Sequence, residues 1–449
     1  MALSGLQIYK LLPQTNCKEC GFPTCLAFAM KLAQKGTELD KCPYVSDEAK
    51  TALDAASAPP IKLATIGAGD RAFAVGNETV MYRHEKTFVH QPGLVVRVKS
   101  DAADLGDVAA RVAAYSVERV GMTLTLDGLA VEDAGGGADA YAAAVAAARA
   151  AAPGLPLVLM SVDAAAVDAA LAGGAAAEKP LIHAAIAANW QAMAEAAKKH
   201  GCPLVIKVTD GDLDGLLELS GQVRGAGVED LVLDPGATTL AGDLAAATQL
   251  RRLALKKGAR ELGYPLVAVA AAPTWQAELV RATQAVGKYA GVIIVDHFEP
   301  AMLYTLLTLR QNIYTDPQKP IQMEPKLYEI GAVTADSPVL ITTNFSLTYF
   351  SVAGEVEGAG IPTWLLVADS DGQSVLTGWA AGKFDAEKIA KTVKISGIEQ
   401  KVVHKKLVIP GHVAGLSGEV EEELPDWKIM VGPRDAVDIP NYIKNVWGA

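Results

Sequence analysis

Four cysteines stand between residues 17 and 42 in the run Cys17-Lys18-Glu19-Cys20-Gly21-Phe22-Pro23-Thr24-Cys25, followed by Cys42-Pro43. The spacing is C-x2-C-x4-C-x16-C-P. Four thiolates around one centre suit a structural zinc ion or an iron–sulfur cluster. Zinc ribbons usually pair two short C-x2-C knuckles. Here one stretch supplies three ligands and the fourth is remote, with a proline behind it, which is the iron–sulfur habit. Gly21 lets the backbone approach sulfur and offer N–H bonds. Structural zinc remains the alternative at this point. The fifth thiol, Cys202, lies far downstream before Pro203 and reads as a small buried hydrophobe.

A second group of residues with chemical potential lies near the C-terminus. The loops Thr342–Ser346, Ala368–Ser374, Pro410–Gly415 and Val431–Arg434 each follow an apolar run and are rich in Gly, Ser, Thr and Asn. Ligands of parallel sheets bind at the carboxyl ends of strands, so these loops predict a site for a polar, amide-bearing molecule. No G-x-G-x-x-G fingerprint follows the first of these runs. His412-Val413-Ala414-Gly415 could belong to the Asp-x-His-x-x-Gly signature of cobalamin-binding domains. Pro410 occupies the Asp position, however, so His412 reads as a loop residue, not a metal ligand.

These groups need elements to hold them. The chain has 449 residues, which at ~150 residues per domain suggests about three domains. Hydrophobic residues make up 51% and charged residues 20%, so the chain can build large cores and is not a disordered one. A formal net charge of −11 argues against a nucleic-acid partner. There is no signal-peptide pattern and no apolar run of the ~20 residues that span a bilayer, so a soluble, cytoplasmic protein without membrane contact is expected.

Residues 1–58 read as a small unit with helices Leu6–Leu12, Cys25–Ala33 and Asp47–Ala56, the last begun by a Ser46 cap. Ser57-Ala58-Pro59-Pro60 reads as a linker. Eight apolar runs then read as buried parallel strands: Lys62–Ile66, Leu94–Val98, Met122–Leu126, Leu155–Met160, Leu204–Val208, Leu231–Leu233, Leu266–Ala270 and Val292–Val295. Helical stretches separate most of them. Thr79–Val89 looks like an extra hairpin. Eight strand–helix units predict a TIM (β/α)8 barrel over 61–318. Its strand-end candidates are Asp70, Arg71, Ser100, Asp101, Asp127, Asp163, Asp210, Asp234, Asp296 and His297. None forms a recognisable catalytic pair, and an Asp after a strand is commonly a helix cap, so the barrel reads as a scaffold.

Residues 312–328 read as a second linker. Strands Val339–Thr342, Thr363–Ala368, Lys406–Pro410 and Lys428–Val431, alternating with helices, predict a Rossmann-like or flavodoxin-like unit over 325–449. The fold class is therefore α/β in three parts.

The segments NCKECGFPTC, CP, TTNFSLTYF and GPRDAVDIPNYI, with this three-part layout, resemble the large (gamma) subunit of the corrinoid iron–sulfur proteins of the acetyl-CoA (Wood–Ljungdahl) pathway. The resemblance covers the whole chain. It implies one [4Fe–4S] cluster on Cys17, Cys20, Cys25 and Cys42, and a base-off, cobalamin-type corrinoid with cobalt. Contacts to the corrinoid would come from Leu340, Thr342, Thr343, Asn344, Phe345, Ser346 and Leu347, from Ser370, Asp371, Gly372, Gln373 and Ser374, from Gly411, His412, Val413, Ala414, Gly415, Leu416, Ser417 and Gly418, and from Gly432, Pro433 and Arg434. The implied partners are a small subunit in a heterodimer, a methyltetrahydrofolate:corrinoid methyltransferase, and acetyl-CoA synthase/carbon monoxide dehydrogenase. The implied role is methyl transfer: cobalt(I) takes a methyl group from methyltetrahydrofolate through the methyltransferase and hands it to acetyl-CoA synthase as methyl–cobalt(III). The cluster restores cobalt(II) to cobalt(I). The residues leave two other readings open, a barrel methyltransferase in its own right and an iron–sulfur electron-transfer module without corrinoid.

Overall fold

The computed structural model describes residues 5–33, 37–46, 49–50, 53, 59–86, 88–315 and 321–447. The chain divides into two compact units, one of residues 1–115 and 126–314, the other of residues 116–125 and 315–449.

In the first unit, helices Gly5–Leu11 and Cys25–Ala33 enclose a small apolar cluster around Ile8, Leu12, Phe28 and Ala29. Most of the expected helix Asp47–Ala56 lies outside the described residues. Its cap is in place, because Ser46 Oγ accepts from the Ala49 N–H (3.2 Å).

Eight parallel strands close into a barrel: β1 Gly93–Lys99, β2 Gly128–Glu132, β3 Leu157–Met160, β4 Leu181–Ala185, β5 Leu204–Lys207, β6 Leu231–Asp234, β7 Leu266–Val269 and β8 Ala290–Val295. They follow one another in chain order around the ring. Alternate residues such as Val95, Ala130, Val158, Val205, Val232 and Val292 form its apolar centre. Helices between the strands begin at side-chain caps, including Asp163, Asp212, Thr239 and Thr274.

The expected count of eight strands holds, but two members differ. Lys62–Ile66 is not in the ring: Ala64–Ile66 pairs antiparallel with Phe73–Val75. Val75 and Phe73 of that hairpin press on Gly291 and Gly93, at the amino ends of the strands, so it plugs the floor. Met122–Leu126 is not in the ring either. Met122–Thr125 pairs antiparallel with Ser116–Arg119, and this hairpin belongs to the second unit. The true members are β2 and β4. The expected helix over 104–119 accordingly stops at Ala114. Among the described residues Thr79–Val89 contains turns and no strand.

The second unit is a five-stranded sheet: β9 Leu327–Ile330, β10 Val339–Thr343, β11 Thr363–Ala368, β12 Lys406–Ile409 and β13 Lys428–Val431, in the order β9-β11-β10-β12-β13. β9 is antiparallel and the rest are parallel. Residues expected in the second linker therefore divide, since helix Pro300–Tyr314 and strand β9 claim both its ends. The parallel order is flavodoxin-like, with its switch point between β10 and β12. Val339, Ile341 and Leu407 face one apolar layer, and Leu340, Leu365 and Val408 the other, so both faces are buried. Among the described residues no helix is long and apolar enough to cross a membrane.

Candidate functional site

Thr24 caps helix Cys25–Ala33, its Oγ1 accepting from the Ala27 N–H (3.0 Å), which sets Cys25 at the helix amino end. The Cys25 N–H donates to Asn16 Oδ1 (2.8 Å), and the Asn16 N–H donates to Cys25 Sγ (3.4 Å). Cys20 sits in a turn closed by the Gly21 N–H on the Lys18 carbonyl (2.9 Å), where Gly21 has φ +82°. Cys42 ends a short turn, its N–H bonded to the Leu39 carbonyl. All are free thiols; Cys25 and Cys42 are buried, Cys20 is half-buried and Cys17 is exposed. Cys20, Cys25 and Cys42 share one apolar cluster with Phe22 and Phe28. Among the described residues no three of His, Cys, Asp and Glu converge on a single ion. A cluster places its thiolates on separate iron corners, so the thiols and the N–H···S bond fit a cluster.

At the switch point of the sheet lies a cavity of about 370 Å³. Its wall comes from β10 (Leu340, Ile341, Thr342), from helix Ser346–Gly358 (Leu347, Thr348, Ser351, Val352), from β12 and the following loop (Val408, Ile409, Pro410, His412), and from Gly432, Pro433, Arg434 and Asp435. Ser374, Val375 and Leu376 edge it on one side, and Ala436, Ile439, Tyr442 and Ile443 on another. The Thr342 and Thr343 hydroxyls and Gln373 Oε1 are buried without a hydrogen-bond partner. Buried orphans are costly, and of the three Thr342 lines the cavity, so its hydroxyl marks a place for a polar ligand. Gly411 permits a close crossing here: a Cβ on it would fall 2.4 Å from the Gly432 carbonyl oxygen.

Of the expected contacts, Leu340, Thr342, Leu347, Ser374, His412, Gly432, Pro433 and Arg434 line the cavity. Asn344 is spent on structure: its Oδ1 accepts from the Ser370 N–H, the Ser370 hydroxyl and the Gly372 N–H (all 2.9 Å), and its Nδ2 donates to Gln322 and Asp369. That knot shapes the loop carrying Ser370, Asp371, Gly372 and Gln373. Thr343, Phe345 and Ser346, and Gly411 with Val413 through Gly418, do not line the cavity. Val413 and Leu416 join the apolar layer on the far face of the sheet.

The barrel candidates are accounted for one by one. Asp163 is a helix cap. Asp127 precedes β2 and so lies at the floor, where it pairs with Arg310 and accepts from the Leu94 N–H (2.8 Å). Arg71 donates to the Ala113 and Leu126 carbonyls. The Ser100 hydroxyl accepts from the Ala134 N–H, and Asp70 and Asp101 are exposed. The Asp210 N–H donates to the Gly236 carbonyl. Asp296 forms a two-pronged bond with Arg97 (2.7 and 2.8 Å), which also reaches Glu132 (3.1 Å). The Asp296 and His297 N–H groups and His297 Nδ1 all meet Glu278, whose side chain is fully buried. Asp234 bonds His183 (3.1 Å). Burial opposes its charge, yet His183, Lys207 and the Gly236 N–H outweigh this and hold its carboxyl below the usual range. Burial pushes the Cys202 thiol up to about 11, which leaves it unreactive.

The family model described as "CO dehydrogenase/acetyl-CoA synthase delta subunit" matches residues 64–443, and one described as "Putative Fe-S cluster" matches residues 12–44. A corrinoid/iron–sulfur protein large subunit from Moorella thermoacetica is 47% identical over 99% of this chain and 99% of its own length. The chain belongs to the corrinoid/iron–sulfur protein large-subunit family. Gamma subunits of the acetyl-CoA decarbonylase/synthase complexes of Methanothermobacter thermautotrophicus and Methanopyrus kandleri are each 36% identical, the first over 99% of both chains, the second over 98% of this chain and 97% of its own. One family description names a delta subunit while these relatives are large or gamma subunits. The relatives decide the matter, because they match along the whole length, cysteine segment included.

For a member of this family, the wall residues not expected from sequence are instructive. Ile439, Tyr442 and Ile443 come from the last helical turns, and Ser351 and Val352 from the middle of a helix. Sequence reasoning sought loops after strands and so passed over helix faces. The segment GPRDAVDIPNYI carried the signal, since it runs from the last loop into those turns.

Proposed function

We propose that this chain is a methyl carrier that holds a corrinoid at the sheet and a [4Fe–4S] cluster at its cysteine segment. It works with a small subunit, receives its methyl group from methyltetrahydrofolate through a separate methyltransferase, and delivers it to acetyl-CoA synthase. The observation that carries this reading is the cavity at the β10/β12 switch point with its unpartnered Thr342 hydroxyl, in a chain whose four cysteines fall in the iron–sulfur segment. When bound, the corrinoid supplies a cobalt centre that accepts and releases a methyl group, and the cluster supplies the electron that returns it to its working state.

The protein's own work is holding and shaping. Cys17, Cys20, Cys25 and Cys42 would hold the cluster, and the Asn16 N–H, already bonded to the Cys25 sulfur, would soften the charge there. The cavity of about 370 Å³ with the strand-end residues His412, Gly432, Pro433 and Arg434 on its wall would hold part of the corrinoid. The Thr342 hydroxyl would be free to bond a polar group of the ligand there. His412 lines the cavity and would face the corrinoid as a loop residue, since Pro410 stands where a metal-binding histidine motif would carry an aspartate. The barrel's carboxylates are engaged with Arg97, Arg310 and His183, which supports a scaffold role. We place the carrier in the cytoplasm, where thiols stay reduced.

The test is the spectrum of anaerobically purified protein. Corrinoid bands together with cluster absorption, and a cobalt(II) electron paramagnetic resonance without nitrogen splitting, are expected. Cluster absorption alone would leave an electron-transfer module. Nitrogen splitting lost in His412→Ala would overturn the assignment of that residue.

A further inference from the structure

The hairpin of Ser116–Arg119 and Met122–Thr125 turns on two residues, Val120 and Gly121. Both have positive φ, +54° and +70°. A two-residue turn of that kind favours Asn-Gly, because both residues enter the left-handed region at little cost. A β-branched residue does not. Valine at 120 therefore strains the backbone, and such strain persists only where the surroundings hold it.

The surroundings belong to the C-terminal sheet. The hairpin is part of that unit, although its chain runs from the helix Leu105–Ala114 to β2 of the barrel. Val120 packs on the apolar layer that contains Leu340, Val408, Ile439 and Ile443. Those four residues also wall the β10/β12 cavity. Gly121 fits closely beside it: a Cβ there would fall 2.7 Å from the Tyr328 hydroxyl and 3.1 Å from Met323 Cε. The Tyr328 ring lies 4.9 Å from the ring of Tyr349. Tyr349 stands on helix Ser346–Gly358, which gives Leu347, Ser351 and Val352 to the cavity wall. The hairpin tip thus reaches that wall twice, through a shared apolar layer and through one pair of stacked tyrosines.

We propose that this tip braces the corrinoid cavity, with Val120 as a positioning residue that holds the wall in the shape the ligand needs. The strained Val-Gly turn is kept because an apolar side chain at 120 serves the cavity, where Asn-Gly would serve the hairpin alone. The brace rests on the reading that the cavity holds a corrinoid. Coupling between two such events is reciprocal, so a docked tip that favours the corrinoid is itself favoured by it.

The test titrates cobalamin, followed by visible absorption, into the full chain that retains its cluster but has been depleted of corrinoid. Val120→Asn gives the hairpin its preferred turn and removes the apolar contact, and is expected to weaken cobalamin binding about tenfold with iron content unchanged. Val120→Thr, of the same shape but with a hydroxyl, takes its place should that variant not fold. Val120→Ile keeps an apolar side chain and should bind as the parent does. Trypsin cleavage after Arg119 reads the reverse effect: bound cobalamin should slow it by about the same factor. Parent-like binding in Val120→Asn, an equal loss in Val120→Ile, or cleavage unaffected by cobalamin would overturn the brace. A parent chain that binds no cobalamin would overturn it together with the carrier reading, an outcome seen before any variant is made.

Discussion

The two parallel-sheet edges of this protein hold different inventories of polar groups. At the barrel mouth Arg97 grips Asp296 and Glu132, Glu278 takes three donors from residues 296 and 297, and His183 meets Asp234. At the C-terminal sheet, Thr342, Thr343 and Gln373 end in buried groups that nothing answers. Polar residues that satisfy one another specify a fold. Polar residues left waiting at strand ends specify a ligand. A row of aspartates after strands therefore says little about function until their partners are known.

This contrast can be broken by substitution. The largest effect is expected at the cysteines. Cys25→Ala or Cys42→Ser should abolish cluster absorption and reductive reactivation, while corrinoid already reduced by a chemical reductant still accepts the methyl group; iron analysis and methyl-transfer assays check this. Next is Ser351→Trp, which fills the β10/β12 cavity from the helix side. Corrinoid content should fall at least about tenfold with iron unchanged, measured by cobalt and iron analysis of the same sample.

Two smaller effects sharpen the comparison by their sign. Glu278→Gln turns an amide towards donors at the barrel mouth and should cost roughly 1–3 kcal/mol in denaturant unfolding, with corrinoid content intact. Thr342→Val replaces an orphan hydroxyl by a methyl group. Corrinoid-free protein should be as stable as the parent or more so, while corrinoid affinity drops about tenfold. A stability loss in Thr342→Val without a change in affinity would place the hydroxyl among the structural groups.

Sequence periodicity disclosed the barrel class but not its full membership. Met122–Thr125 has strand composition and pairs in a hairpin of the other unit. β4, Leu181–Ala185, was passed over because His183 interrupts its apolar run. His183 is tolerable inside only because Asp234, from β6, lies 3.1 Å away, a partner far off in sequence. β2, Gly128–Glu132, was missed because the apolar run Met122–Leu126 just before it took its place in the count, and Asp127 between them proves to belong to the floor with Arg310. The cysteine segment was legible because its ligands are local. The strand-end loops were legible as a set, with eight of the named residues on the cavity wall, yet Asn344 turned out to hold the loop of Ser370 and Gly372. Tyr442 and Ile443 reach the cavity by tertiary packing that no local pattern records.

The central claim is that this chain carries a methyl group it does not itself abstract. The most direct measurement incubates the reduced protein, with its small subunit, with methyltetrahydrofolate labelled in the methyl carbon, with and without the methyltransferase. The account predicts one label per bound corrinoid when the methyltransferase is present, and none in its absence. Label on the protein without the methyltransferase would make the barrel a catalyst, and no label under either condition would contradict the carrier role.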